Sequence, residues 1–361
     1  MRVKKKLWKL FFIAMLLVHF SALVGATNGS TEYRGLALVA DRFDLVSEQS
    51  IDQLLGLCIR YRIDTLYVPA VEFLEALYSS DLLPRSQVLL NNATPLEFDP
   101  LAYILQKGKT FGILVVPTVD FFTVWPSEDT PVNPRHVSNT KPSWMSRDGM
   151  GQLLTSPMVL DPGVAEVQAF CISLFKEVLT RYTPSALALK NFAYPSPQYG
   201  FNPLAMKSFE SWKRQNFASV TNFDDFRSWV LDDLVARFSQ MRAGLGVQTS
   251  LVLFHSSDFP AASTSHFQNW LSWVNGNKVQ LLVSWYAYAD LATVNHDTRF
   301  QLESVAGSRF WPALRPLELV PSQFRLIAAK VHEFPVSGLV VDTKDAATLE
   351  FLNAIGFGIP R

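Results

Sequence analysis

Eight short apolar runs punctuate the chain at intervals too long for hairpins. They are GLALVAD (35–41), TLYVPAV (65–71), ILVVPTV (113–119), ALALKNF (186–192), TSLVLFH (249–255), VQLLVSWY (279–286), RFWPAL (309–314) and GLVVDT (338–343). Each is rich in aliphatic or β-branched residues and bounded by polar turns, the pattern of strands buried on both faces. Between them lie segments of helical period at 47–61, 99–108, 164–182, 204–215 with 223–241, 265–273, 290–306, 321–332 and 346–355. Ser47, followed by acidic Glu48 and Asp52, and Asp345 are predicted helix caps.

Eight strand–helix alternations in one chain predict an α/β fold, a (β/α)8 barrel of the TIM type with long loops on its C-terminal face. An open doubly wound sheet is the competitor, but the first strand–helix turn, ADRFDLVSEQS, is acidic and polar rather than glycine-rich. The longest irregular stretches, 121–161 and 194–202, both follow strands. They therefore belong to the face on which barrels carry their sites. No linker, internal repeat or second domain interrupts the pattern.

The N-terminus reads as a secretory leader. Arg2, Lys4, Lys5, Lys6 and Lys9 form a basic region, residues 10–24 are apolar, and Val24-Gly25-Ala26 offers the small residues a signal peptidase needs. The apolar run falls short of the about 20 residues of a membrane span. Cleavage after Ala26 is expected, leaving residues 27–361 as one domain, periplasmic or extracellular, with no stable membrane span. Five of the 32 basic residues leave with the leader, so 27 face 32 acidic ones. A mildly acidic surface gives no electrostatic reason to bind nucleic acid. The only cysteines, Cys58 and Cys171, sit in apolar helical patterns of different βα units and read as two buried free thiols, with a disulfide as the alternative.

The chemistry concentrates on the C-terminal loops. Rings cluster there: Phe121, Phe122, Trp125, His136 and Trp144 in the long insert, then Phe192, Tyr194, Tyr199 and Phe201, then Trp285, Tyr286 and Tyr288, with Trp311 on the seventh strand. Sugar rings stack on aromatic faces, so Trp125, Tyr194, Trp285 and Tyr286 are candidate glycan contacts. The competing reading is that long loops need a small core of their own, which aromatic residues supply. Glycoside hydrolysis needs two carboxyl groups across the scissile bond. Acids near predicted strand ends are Asp41, Glu72, Asp120, Asp258 and Asp342, of which Asp120, Asp258 and Asp342 are the catalytic candidates. Each is also a candidate cap or loop ion-pair member, and Glu72 and Glu75 are expected to start a helical stretch, VEFLEALY. No HxH or HExxH spacing, GxSxG elbow or Walker loop occurs, so neither a metal nor a cofactor is expected. His255 at a strand end reads as a hydrogen-bonded structural residue.

Several segments, in order, carry a resemblance: YRGLAL, LYSSDLLPRS, FDPLAYILQKGKTFGILV, PSW (142–144), LDPGVAEVQAF and RYTPSALALKNFAYP. Together they resemble the glycoside-hydrolase-like 10 family, exported bacterial proteins built on a (β/α)8 barrel. The likeness runs from about Tyr33 past Tyr286 and is strongest up to Pro195. It implies action on polysaccharide, with bacterial cell-wall glycan the leading substrate class.

The resemblance also sets up a departure. At the fourth strand the family's Asp-Asp-Tyr precedes Tyr-Pro; this chain has Lys190, Asn191 and Phe192, then Tyr194 and Pro195. After the second strand Val68, Pro69 and Ala70 stand where the family tends to have Arg and a Gly-Asp pair, and at the third strand Val116 and Thr118 replace His and Trp. An ammonium neither attacks an anomeric carbon nor stabilises an oxocarbenium-like cation. An amide hydrogen-bonds sugar hydroxyls but transfers no proton. Lys190 and Asn191 are thus expected as binding rather than catalytic groups. Three readings follow: a hydrolase using relocated carboxylates, a non-catalytic barrel that binds polysaccharide or peptidoglycan, and a structural or partner-binding envelope protein.

Overall fold

The computed structural model describes residues 35–127, 131–215, 222–256, 259–285, 291–314 and 321–342. Eight parallel strands close into a barrel: β1 (Gly35–Val39), β2 (Thr65–Glu72), β3 (Leu114–Asp120), β4 (Ala186–Lys190), β5 (Ser250–Ser256), β6 (Leu281–Trp285), β7 (Phe310–Leu314) and β8 (Gly338–Asp342). Each pairs with its sequence neighbour, and β1 pairs with both β2 and β8, which closes the ring. All eight expected strands are present, within two residues of their expected starts.

The strands are apolar throughout because both faces are covered. Ala37, Tyr67, Val116, Ala188, Val252, Val283 and Val340 point into the barrel and form one cluster. Their neighbours Leu38, Leu66, Val115, Leu187, Leu253, Leu282 and Leu339 join the larger cluster beneath the helices. This two-residue alternation decides which side chain at each strand's C-terminal end faces the mouth. By the same parity Asp120, Lys190, Trp285 and Asp342 face inward. At the opposite end the Trp311 indole fills the barrel floor against Gly35 and Gly338, where a Cβ would overlap its ring. The indole N–H donates to Ser337 Oγ at 2.8 Å. A cavity of about 30 Å³ between Thr65, Tyr67, Ser250, Gln280 and Trp311 also lies at this end, away from the mouth.

Helices surround the barrel: α1 (Glu48–Arg60), α2 (Pro100–Phe111), α3 (Ala165–Tyr182), α4 (Pro203–Gln215), α5 (Phe223–Gly244), α6 (Leu291–Ser304) and α7 (Pro321–His332). Ser47 caps α1 as expected, in a reciprocal box with Ser50. Asp99 caps α2, which begins on Pro100 and ends on Gly112 in the left-handed region (φ 72°). Cys58 and Cys171 are free, buried thiols on α1 and α3.

Two sequence expectations need correction. The helix expected at 265–273 is instead two short ones, Phe259–Thr264 and Trp270–Asn275. The chain between them turns at Phe267 (φ 57°), which ends any helical run. VEFLEALY forms no helix: β2 continues to Glu72, turns at Phe73 (φ 55°) and Leu74 (φ 53°), and returns as the antiparallel pair Glu75–Ala76. Burial of Leu74, Leu77 and Tyr78 offsets the about 1–2 kcal/mol that each left-handed residue costs. Glu75, rather than starting a helix, accepts from Ser86 Oγ (3.0 Å) and Gln87 N (2.8 Å).

The long insert has its own architecture. Thr123–Trp125 pairs antiparallel with Met158–Val159. His136 caps the short helix Val137–Thr140, and its Nε2 lies 2.8 Å from the Phe73 carbonyl, tying the insert to the turn after β2. No helix among the described residues is long and apolar enough to cross a membrane. The leader (1–26), the helix expected at 346–355 with its Asp345 cap, and the candidates Asp258 and Tyr286 lie outside the described residues.

Candidate functional site

At the mouth, the ends of β2, β3 and β4 converge on a connected ring of side chains. Asp120 on β3 pairs with Lys190 on β4 in the sheet register. Lys190 Nζ lies 3.6 Å from Glu72 Oε1 at the end of β2. Glu72 Oε2 lies 3.8 Å from Nε of Arg42, in the turn after β1. Arg42 also stands over the Phe73 ring, 5.0 Å from its centroid, and over exposed Phe43 at 5.4 Å. Phe73 meets Trp125 edge-on at 6.0 Å. Thr123 lies on the same short strand as Trp125, and its hydroxyl accepts from the Asn191 amide at 3.2 Å. Asn191 follows Lys190 and closes the ring.

The carboxylates here are engaged. Asp120 is 1% exposed. Its Oδ1 accepts from the backbone N–H groups of Phe122 (3.3 Å) and Thr123 (2.9 Å), and its Oδ2 from Asn191 Nδ2 (2.6 Å). Burial pushes its carboxyl above the usual range, while these donors and the Lys190 charge pull the other way. Asp41 accepts from Phe43 N and caps the short 3-10 turn Arg42–Leu45 in a box with Asp44, so its capping reading holds. Glu72 is shared between two cations. Asp342, on β8, is 3% exposed and faces inward three strands from β3.

A model of the glycosyl hydrolase-like 10 family matches residues 34–310. The chain belongs to that family. No match was found among curated proteins. Among solved structures, the catalytic domain of β-amylase from Paenibacillus polymyxa superposes with a TM-score of 0.60 at 11% identity, covering 92% of this chain and all of that one. Alpha-L-fucosidase isoenzyme 2 from Paenibacillus thiaminolyticus gives 0.60 at 12%, covering 90% of this chain and 49% of that one. The alpha-galactosidase from Lactobacillus brevis gives 0.54 at 12%, covering 91% and 40%. The chain thus spans half or less of the latter two. At such identities the likeness is one of fold: a (β/α)8 barrel.

Within this glycosyl hydrolase-like 10 barrel, the sequence candidates separate. Trp125, Lys190 and Asn191 come together in the ring. Trp285 lies across the mouth on β6, 8% exposed, tilted against Phe254 at 5.4 Å. Tyr194 does not reach the mouth: its ring is fully buried, edge-on to Phe267 at 5.6 Å, with the Arg227 guanidinium 5.9 Å away. Its place as a stacking contact is corrected, because no face of the ring is open. Phe121, Phe122 and Phe192 are likewise buried, around Phe238, as the loop-core reading expects. Buried His255 has its Nε2 2.6 Å from Ser284 Oγ, which donates to Gln301 Oε1, a structural arrangement between barrel and helices. No cluster of metal-ligating side chains occurs among the described residues.

Sequence reasoning missed Arg42, Phe73 and Thr123. Arg42 carried no motif signal, lying inside an acidic turn. Phe73 was hidden by the helical reading of VEFLEALY. Thr123 follows Asp120 by three residues, the spacing of a side chain that accepts from a turn N–H, and that spacing was the available clue.

Proposed function

We propose that this protein binds polysaccharide at the barrel mouth, with bacterial cell-wall glycan as the leading class, and does not hydrolyse it. The observation that carries the reading is the end of β4. It delivers an inward Lys190, paired with Glu72, and an Asn191 bonded to Asp120. A glycosidase needs one carboxyl to give a proton and a second to act as nucleophile or base. Here the two nearest carboxyls serve the cation and the amide. A positive charge at that strand end opposes the oxocarbenium-like transition state. The half-buried Trp125 and Phe73, with the exposed Asn191 amide, supply what binding a sugar requires: an apolar face and a hydrogen-bonding edge.

Export through the leader at 1–26 fits this reading, since the polymer lies outside the cytoplasm. A second reading rests on one observation: Asp120 is a carboxyl at a barrel mouth held above its usual range, as a general acid must be. Asp342 would then supply the second carboxyl.

The test measures release of reducing ends from purified cell-wall glycan by the native chain, by Asp120→Asn, and by the double variant Lys190→Asp, Asn191→Asp. Binding without hydrolysis predicts no release by the native chain. Release by the native chain that Asp120→Asn abolishes establishes the hydrolase reading instead. Release by the double variant alone identifies a barrel whose catalytic acids have been lost.

A further inference from the structure

The geometry points to an anion subsite at the mouth: Lys190 and Arg42, beside the Phe73–Trp125 ledge, recognise a carboxylate carried on the sugar. This rests on the glycan-binding reading and names the class of glycan.

Two cations share a single carboxylate, and both pairs are long. Lys190 Nζ stands 3.6 Å and Arg42 Nε 3.8 Å from Glu72. Charge-assisted hydrogen bonds close to about 2.7–2.9 Å. Among the described residues, neither the Lys190 ammonium nor the Arg42 guanidinium donates a hydrogen bond within 3.5 Å. Glu72 therefore balances charge without saturating donors. Asp120, the other nearby carboxyl, is already supplied by three N–H groups.

The cations remain within reach of solvent. Their side chains are 14% (Lys190) and 24% (Arg42) exposed, so an entering group meets them in a partly desolvated setting where pairing is stronger than at an open surface. The apolar ledge lies alongside: Arg42 covers Phe73, and Phe73 abuts Trp125. A neutral sugar needs the ledge and the Asn191 amide only. Two under-used cations next to them are matched by a sugar bearing a carboxylate, whose two oxygens accept from Lys190 and from the planar fork of Arg42. Glu72 holds both cations in position.

The probes are peptide-free glycan strands in which alternate sugars carry a lactyl carboxylate, and the same strands after chemical reduction of those carboxyls. Affinity is measured by calorimetry on the whole protein. The native chain is expected to bind the carboxylate strands at least tenfold more tightly than the reduced ones, with the difference shrinking as salt is raised. The variant Lys190→Gln removes one cation and leaves Glu72 paired with Arg42, so no charge is stranded, and it is expected to lose most of that preference. A thermal melt verifies its fold, and Arg42→Gln gives an independent second test of the same loss. Equal native affinity for both strands overturns the anion subsite and leaves glycan binding standing. An unchanged preference in both variants overturns the assignment of Lys190 and Arg42. Binding to neither strand overturns the glycan reading and the subsite with it.

Discussion

Asn191 donates from Nδ2 to Oδ2 of Asp120 at 2.6 Å, and does so from a left-handed backbone (φ 50°). Two separate requirements thus meet at one residue. The backbone favours Asn or Gly over residues with a larger steric cost. The side chain supplies the donor that completes a nearly inaccessible carboxylate. Asn191→Gly keeps the backbone and removes the donor, so it is expected to cost about 1–3 kcal/mol, the loss for a hydrogen bond to a buried charged group. Asn191→Ala is expected to lose about 1–2 kcal/mol more through the left-handed strain. Urea unfolding of both variants measures the two contributions. Equal stability of the glycine and alanine variants would remove the backbone share.

The barrel was legible because its signal is redundant. Eight strands buried on both faces leave eight apolar runs, and caps such as Ser47 mark the intervening helices. The same local pattern misled at VEFLEALY. There the apolar positions Val71, Leu74 and Leu77 follow helical spacing, but Phe73 and Leu74 take left-handed conformations and the core is filled by a reversal. For the site, the inward direction of Lys190 was implicit in strand alternation. The partners Arg42, Thr123 and Phe73 were not, because their contacts join segments separated by tens of residues. Tyr194 shows the converse: an aromatic residue just past a strand end can serve the loop core as readily as the cleft, and only packing distinguishes them.

Gly35 and Gly338 admit Trp311 to the barrel floor. Neither has a positive φ, so the demand is purely steric. Gly338→Ala is expected to destabilise by about 1–3 kcal/mol through overpacking, read as a lower melting temperature. Adding Trp311→Phe should recover part of that loss. No loss in Gly338→Ala would contradict the packing.

Burial pushes the Asp161 carboxyl up to about 7 and that of Asp64 up to about 6, from an ordinary 3.8. With folded values above the unfolded ones, the native chain binds more protons than the unfolded chain across this window. The contribution of these two groups is therefore fully present below about pH 4 and declines as pH rises towards 7. Asp161 also accepts from the backbone of Gly163 and Asn202, so Asp161→Asn removes one of these acceptors as well as the titration. The informative quantity is the slope between pH 5 and 7, which comparison with the native chain isolates from other groups. A shallower fall in the variant is expected; parallel curves would place the titration elsewhere.

Burial pushes the Cys58 thiol up to about 12 and raises that of Cys171 as well, and both are 0% exposed. Neither offers a thiolate at neutral pH. A thiol reagent is expected to label neither in the folded protein and both after denaturation without reductant. Absence of labelling in the unfolded, unreduced chain would reveal a disulfide.

The account stands or falls on whether the mouth holds glycan. Its most direct measurement is retention of the native protein on purified insoluble peptidoglycan, against a (β/α)8 barrel of similar size that lacks the Arg42–Glu72–Lys190 arrangement. Retention well above that control is the predicted result. Retention no greater than the control would contradict glycan binding and leave a structural or partner-binding role for a hydrolase-type barrel.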